Sequence, residues 1–284
     1  MIKSMTAFGK CSFQLADKKI NIEIRSLNSK GLDLNMRAPS SYKEQELSFR
    51  KTIASQVLRG KVDFSLYIEK TGVESASELN TPIIQAYIAQ LKSITNISDE
   101  KALEIAMRLP ESLSSTREEV DEQELAHIKE GIDKALKAFN EFREEEGAAL
   151  ATDFNFRIDQ LKSLLDQAKE VDQTRMTSVR SRLEKAVADL KENLDQNRFE
   201  QELIYYIEKY DITEEKIRLA NHLTYFIETM DGASSGKKLG FIAQEIGREI
   251  NTMGSKANDA DLQKIVVQMK DELEKIKEQL LNVL

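Results

Sequence analysis

The chain has 284 residues, of which 32% are charged and 6% aromatic, with three prolines, no tryptophan and a net charge of -8. That length supports a substantial core and roughly two domains, and the composition favours long, surface-rich helices over a β-sandwich. One cysteine, Cys11, excludes an internal disulfide, and two histidines, His127 and His222, exclude a Cys/His zinc cluster within one chain. Any metal must therefore rest mainly on carboxylates. No apolar run approaches the ~20 residues that span a bilayer. The start, Met1-Ile-Lys-Ser-Met-Thr-Ala-Phe8, lacks the apolar core of a signal peptide, so the expectation is a cytoplasmic protein without a membrane partner. The net charge argues against a generally basic nucleic-acid binder, but it is unevenly spread. Residues 1–70 hold 13 Lys/Arg against 7 Asp/Glu, a net of +6, and the remainder hold 28 against 42, a net of -14. A basic end of this kind suits a phosphate-rich partner, or serves only solubility.

In chain order, Lys3 to Leu15 and Ile20 to Met36 alternate apolar and polar residues and read as two strands of an antiparallel sheet. Pro39-Ser-Ser-Tyr42 opens an amphipathic helix to about Leu58, with Leu47, Ile53, Ala54 and Val57 facing inward. Arg59-Gly60-Lys61 then turns into a strand over Val62–Ile68. The order is β-β-α-β. Residues 71–80 form a polar link into a helix from Pro82 to about Ile94, capped by Thr81. Between Ile97 and Val120 the pattern is weak, and Leu109-Pro110 interrupts it. From Asp121 the chain has almost no breakers. Runs over 122–147, 148–176 and 179–194 carry a/d-like stripes, Ile158, Leu161, Leu165 and Ala168 and then Leu183, Val187, Leu190 and Leu194, suited to a helical hairpin or coiled-coil arm. Helices over 198–210, 213–230, 238–253 and 259–283 complete the chain, with loops at 231–236 and 254–258. The fold class is α+β, with a small N-terminal domain over 1–120, a long helical arm over 121–200 and a helical C-terminal domain over 201–284.

The stretch Gly236–Lys256 concentrates ionisable side chains. At 3.6 residues per turn, Glu245, Arg248, Glu249 and Thr252 project from one side, opposite a stripe of Leu239, Ile242, Ile246, Ile250 and Met253. Carboxylates at i and i+4 repel unless a cation compensates them, and that cation is a divalent metal, Arg248 or Lys256. A solvated face bridged by Arg248 explains the spacing equally. Upstream, Asp211 or Thr213 caps a helix with Glu214 and Glu215 in its first turn, and Glu215, Arg218 and His222 share a side. His222 is a metal ligand, a proton carrier or a half-buried histidine beside Leu219, Leu223 and Phe226. The acidic run Arg143-Glu-Glu-Glu-Gly147 offers another carboxylate or a solvated helix surface. Gly232-Ala-Ser-Ser-Gly236 followed by Lys237-Lys238 can cradle a phosphate at a helix N-terminus or simply connect two helices. No Walker loop, Gly-rich dinucleotide turn, nucleophile elbow or His-Glu-x-x-His is present.

These residues resemble the bacterial YicC/YloC family at both ends of the chain. The N-terminal likeness lies in Met1–Gly9, Glu23-Ile-Arg-Ser-Leu-Asn28 and Arg59-Gly-Lys-Val62. The C-terminal likeness lies in Asp211-Ile-Thr-Glu-Glu215, Arg218-Leu219, His222, Gly236-Lys-Lys-Leu239, Gln244-Glu245, Arg248-Glu-Ile-Asn-Thr252 and Ser255-Lys256. Residues 71–120 match poorly, Ala7 replaces a usual glycine, and Asn28-Ser-Lys30 replaces a usual Asn-His-Arg, departures that bear on RNA contacts. The resemblance implies a metal-dependent endoribonuclease that uses a divalent cation, manganese or else magnesium, and assembles as a homohexamer enclosing RNA. The residues themselves offer a catalytic set of Glu245, Glu249, His222 and Arg248 and a metal set of Glu245, Glu249, Glu215 and His222 that fit this chemistry. The RNA-binding set is Arg25, Asn28, Lys30, Arg37, Arg59, Lys61, Lys237, Lys238 and Lys256. The alternative is a non-catalytic RNA-binding or scaffolding oligomer.

Overall fold

The computed structural model describes residues 2–15, 18–71, 79–113, 121–188, 196–232 and 236–284. The chain forms two compact units, one of Phe8–Phe139 and the other of Met1–Ala7 with Asn140–Leu284.

In the first unit the strands are β1 (Ala7–Leu15), β2 (Lys18–Leu27), β3 (Leu32–Arg37) and β4 (Gly60–Lys70), in sheet order β1-β2-β4-β3. β2 pairs antiparallel with β4, Ile22 opposite Leu66, whereas β3 runs parallel to β4, Leu34 opposite Val62. A parallel neighbour needs a crossover. It is supplied by a 3-10 helix, Ser40–Gln45, and α1, Glu46–Gln56. The stretch read as one strand, Ile20–Met36, is thus two, divided at Asn28-Ser-Lys-Gly31. Gly60, at φ 130°, donates its N–H to the Gly31 carbonyl at 3.1 Å, a backbone conformation that favours glycine.

Strand alternation sends Ile20, Ile22, Ile24, Val62, Phe64 and Leu66 to one face, each no more than 3% exposed. α1 covers part of that face, with the Phe49 ring 6.4 Å from that of Phe64. Its inward residues are Phe49 and Ile53, followed by Val57 beyond its end. Leu47 and Ala54, expected inside, are exposed. The helix begins after the 3-10 turn, which sets its rotation from Glu46 rather than from Pro39. α2 (Thr81–Ile94) and α3 (Asp99–Ala106) follow, and α3 occupies the stretch whose pattern is weak, burying Ala102 and Ala106.

α4 is one helix, Glu122–Ala188, where the sequence suggests separate runs. In its first part Ile128, Ile132, Ala135, Leu136 and Phe139 are buried, and Tyr42 Oη and Lys18 Nζ bond to Glu124. Beyond Asn140, Phe154, Ile158, Leu161, Leu165 and Ala168 join α6 (Thr213–Met230), α7 (Gly236–Lys256) and α8 (Ala260–Leu280) in a single apolar core. The first a/d stripe therefore faces this core. The side chains of Leu183, Val187, Leu190 and Leu194 lie outside the described part. α5 spans Gln196–Tyr210.

Gly147 does not end α4, because the backbone of residues 2–5 lies against it. The Ser4 N–H donates to the Arg143 carbonyl at 3.1 Å, Met5 N–H to Asn282 O at 2.7 Å, and Leu284 N–H to Lys3 O at 2.9 Å. A Cβ on Gly147 would sit 2.0 Å from the Ile2 carbonyl oxygen. Gly147→Ala is therefore expected to destabilise the helical unit by about 1–3 kcal/mol, although alanine is the better helix former. A urea unfolding midpoint equal to the parental one would show that residues 2–5 do not hold this position.

Candidate active site

Asp211 opens α6. Its Oδ1 accepts the Thr213 N–H at 2.8 Å, and the Thr213 side chain together with that amide holds its carboxyl below the usual range. Of the two acids in the first turn, Glu214 is exposed and pairs with Arg218. Glu215 is 4% exposed, and its Oε1 accepts from Lys256 Nζ of α7 at 2.7 Å. Capping explains Glu214 but not Glu215. The second oxygen, Glu215 Oε2, is buried and has no hydrogen-bond partner among the described residues.

The Glu215–Lys256 bond joins the start of α6 to the end of α7, so the two helices are antiparallel. Seven residues make about two turns and return to the same side. Counting seven toward the connection on each helix puts His222, half-buried, level with Glu249, which is 4% exposed. The helix pair thus presents an acid with a lysine and, two turns along, an acid with a histidine.

Glu245 does not share that environment. Its side chain is 50% exposed and its nearest cation, Arg248 Nη1, is 3.9 Å away and 72% exposed, a pair worth well under ~1 kcal/mol. The expected single face of Glu245, Arg248 and Glu249 is corrected: Glu249 turns inward. α7 packs against both α6 and α8. Its buried arc includes Ala243, Gly247 and Glu249 beside the apolar stripe. Among the described residues no three His, Cys, Asp or Glu side chains form a ready-made metal cage.

Of the basic candidates, Arg25, Arg37 and Lys61 lie exposed on the sheet, with Lys61 opposite Leu27 and Asp33, and Arg37 opposite Ser65. Asn28 and Lys30 sit in the β2–β3 connection and half-buried Arg59 just before β4, so with Lys61 and Arg25 they gather toward one end of the sheet, whereas Arg37, opposite Ser65, lies midway along β4. Lys237 and Lys238 are exposed in the first turn of α7, and Lys238 Nζ lies 4.7 Å from the Tyr225 ring centre. Lys256, at the other end, is committed to Glu215. The phosphate cradle expected before α7 falls largely on 233–235, outside the described residues. The first α7 amide, Gly236 N–H, already donates to the Leu284 carbonyl at 3.1 Å. Gly254-Ser-Lys256, read as loop, is the last turn of α7. The run Arg143–Gly147 is not a solvated surface alone: Arg143 is 2% exposed, while Glu146 accepts from the Ser4 and Thr6 hydroxyls.

A buried network lies at the end of α7. Arg175 donates to Asp172 Oδ1 at 2.6 Å and to the carbonyls of Lys256, Ala257 and Tyr210 at 3.0, 2.7 and 2.6 Å. Lys216 Nζ completes the Asp172 carboxylate at 2.6 Å. Its signal is present in the sequence: Asp172 and Arg175 continue the stripe 158, 161, 165, 168 by steps of four and three, charges standing in a core register.

Two family models match the chain: Endoribonuclease YicC-like, N-terminal region, over residues 2–152, and Endoribonuclease YicC-like, C-terminal, over 165–284. A Clostridioides difficile (strain 630) protein named "Probable endoribonuclease YicC" is 31% identical, with 100% of both chains covered. A protein of the same name from Haemophilus influenzae is 30% identical, again over 100% of both. The chain belongs to the YicC-like endoribonuclease family. No helix among its described residues is long and apolar enough to cross a membrane.

Proposed function

We propose that the protein is an endoribonuclease that hydrolyses RNA phosphodiester bonds with a divalent cation, manganese or magnesium, and acts in cytoplasmic RNA turnover. The observation that carries this reading is the buried Glu215 Oε2, without a hydrogen-bond partner among the described residues of the α6–α7 helix pair, in a chain whose residues 2–152 and 165–284 match the endoribonuclease family. The donors fit a small hard cation, which takes one or two carboxylates and completes its shell with water and substrate phosphate rather than with a protein cage. Glu215 or Glu249, which stand two turns apart, would hold it. When bound, such a cation lowers the pKa of a water and polarises the phosphoryl oxygen.

The chain's own groups do the rest. Exposed Glu245 orients the attacking water, Arg248 offsets phosphate charge, and His222 protonates the leaving oxygen. The basic end of the sheet and Lys237–Lys238 hold the RNA backbone. Six copies arranged around one cavity would multiply the modest positive patch of each chain.

A second reading has an observation of its own. Lys256 compensates Glu215, which is what a non-catalytic RNA-binding scaffold requires. Incubating the protein with an end-labelled RNA hairpin in Mn²⁺ and in EDTA separates the two. The nuclease reading expects fragments in Mn²⁺ only, and a mobility shift without shortening in both would support the scaffold. Light scattering is expected to give a hexamer, and a monomer at all concentrations would remove the ring.

A further inference from the structure

The face of the four-stranded sheet opposite its apolar core carries aromatic rings as well as charge. Tyr67, on the central strand β4, is 68% exposed, and Phe8 on β1 is 38% exposed. Arg25 lies with its guanidinium carbon 5.2 Å from the Phe8 ring centre. Register places the rings apart. Tyr67 is opposite Asn21, which bonds Ser12 at 2.7 Å, whereas Phe8 is level with Arg25, opposite Asp63. The two rows are four residues apart, about 13 Å along the strands. A shallow cavity of 450 Å³ opens between them, lined by Lys10, Lys19, Asn21, Glu23, Ser65 and Tyr67.

The acids of this face are occupied within it. Glu23 is bonded by Lys10 at 3.0 Å and Arg25 at 2.9 Å, and Asp63 by Asn35 at 2.8 Å. Arg37 and Lys61 on the same face make no ion pair among the described residues. Exposed rings on a face that also carries the unpaired cations Arg37 and Lys61 match nucleic acid whose bases are unstacked: each ring takes a base, and the cations take phosphates. A duplex presents no free base faces to such a surface.

We propose that this open sheet face is a docking platform for single-stranded RNA, with one base stacked on Tyr67 and another on Phe8. The inference rests on the reading of RNA as substrate and assigns to the first structural unit the choice of unpaired segments.

Fluorescence anisotropy in EDTA, with a short labelled oligouridylate and a labelled RNA duplex, tests it on the full-length parental protein and on Tyr67→Ala, Tyr67→Leu, Tyr67→Phe and Phe8→Ala. Loss of one stacked base weakens binding by roughly fivefold or more. Tyr67→Ala, Tyr67→Leu and Phe8→Ala are expected to lose that much affinity for the single strand, with an unchanged salt slope and unchanged duplex binding. Tyr67→Phe is expected to retain parental affinity. Because Tyr67 is exposed, all its variants should melt with the parental protein. Parental affinity in Tyr67→Leu and Phe8→Ala would overturn the platform and leave the RNA reading intact. Parental protein with no salt-dependent affinity for either RNA would overturn both.

Discussion

Replacing Arg175 with methionine is expected to destabilise the helical unit by about 3–5 kcal/mol, the cost of breaking a buried ion pair from one side. Arg175 is 3% exposed and its guanidinium reaches Asp172 and three carbonyls, two of them at the end of α7. Methionine matches the stem but donates nothing, so the Asp172 carboxylate keeps only Lys216 and the carbonyls of Tyr210, Lys256 and Ala257 lose a buried donor. Because that donor joins α4 to the last turn of α7, the change also loosens the segment that places Lys256 against Glu215. A urea series is expected to show a markedly lower midpoint with loss of RNA cleavage. A midpoint within about 0.5 kcal/mol of the parental value would mean that water replaces the guanidinium and that the network does not anchor the helix.

Lys256→Met is expected to cost about 1–3 kcal/mol, less than the Arg175 change because the Lys256 side chain is 32% exposed while that of Glu215 is 6% exposed. The penalty comes from the carboxylate left behind, whose Oε2 already lacks a partner among the described residues. Adding Glu215→Gln to Lys256→Met removes the charge and should restore most of the lost stability, a coupling that a double-mutant cycle measures. Additive losses would show that Glu215 is not compensated by Lys256. The cycle also separates roles: the doubly substituted protein should be stable and inactive, as expected where a buried charge serves function rather than folding.

Much of the architecture was legible because its signals are periodic. Alternation in Ile20–Met36 and Val62–Ile68 identifies strands, and three- and four-residue steps after Asp121 identify helix. Periodicity does not fix where a pattern pauses or which neighbour covers a face. Ile20–Met36 alternates through Asn28-Ser-Lys-Gly31, so its division into β2 and β3 follows from the turn and from the parallel pairing with β4, a long-range choice. Leu47 is apolar yet exposed, because rotation of α1 is set by the preceding 3-10 turn. Gly147 looks like a weak point in a helix until residues 2–5 are laid against it.

In the candidate site, helical spacing puts Glu215, Arg218 and His222 on one side of α6, yet Glu215 is buried while Arg218 is exposed and pairs with Glu214. Spacing also does not tell Glu245 from Glu249. Those two differ by one turn and by about 40° around the axis, and only the packing of α7 in three dimensions decides that Glu249 is enclosed and Glu245 is not. The partnership of Glu215 with Lys256, 41 residues away, depends on the antiparallel return of α7.

The measurement that tests the account most directly is the single-turnover cleavage rate of an end-labelled RNA hairpin in Mn²⁺, for the parental protein and for Glu245→Gln/Glu249→Gln. The account predicts a folded double variant that still shifts the RNA but cuts it about 10²–10⁴-fold more slowly. A folded double variant that cuts at the parental rate would contradict it and move the reaction away from the α6–α7 helices.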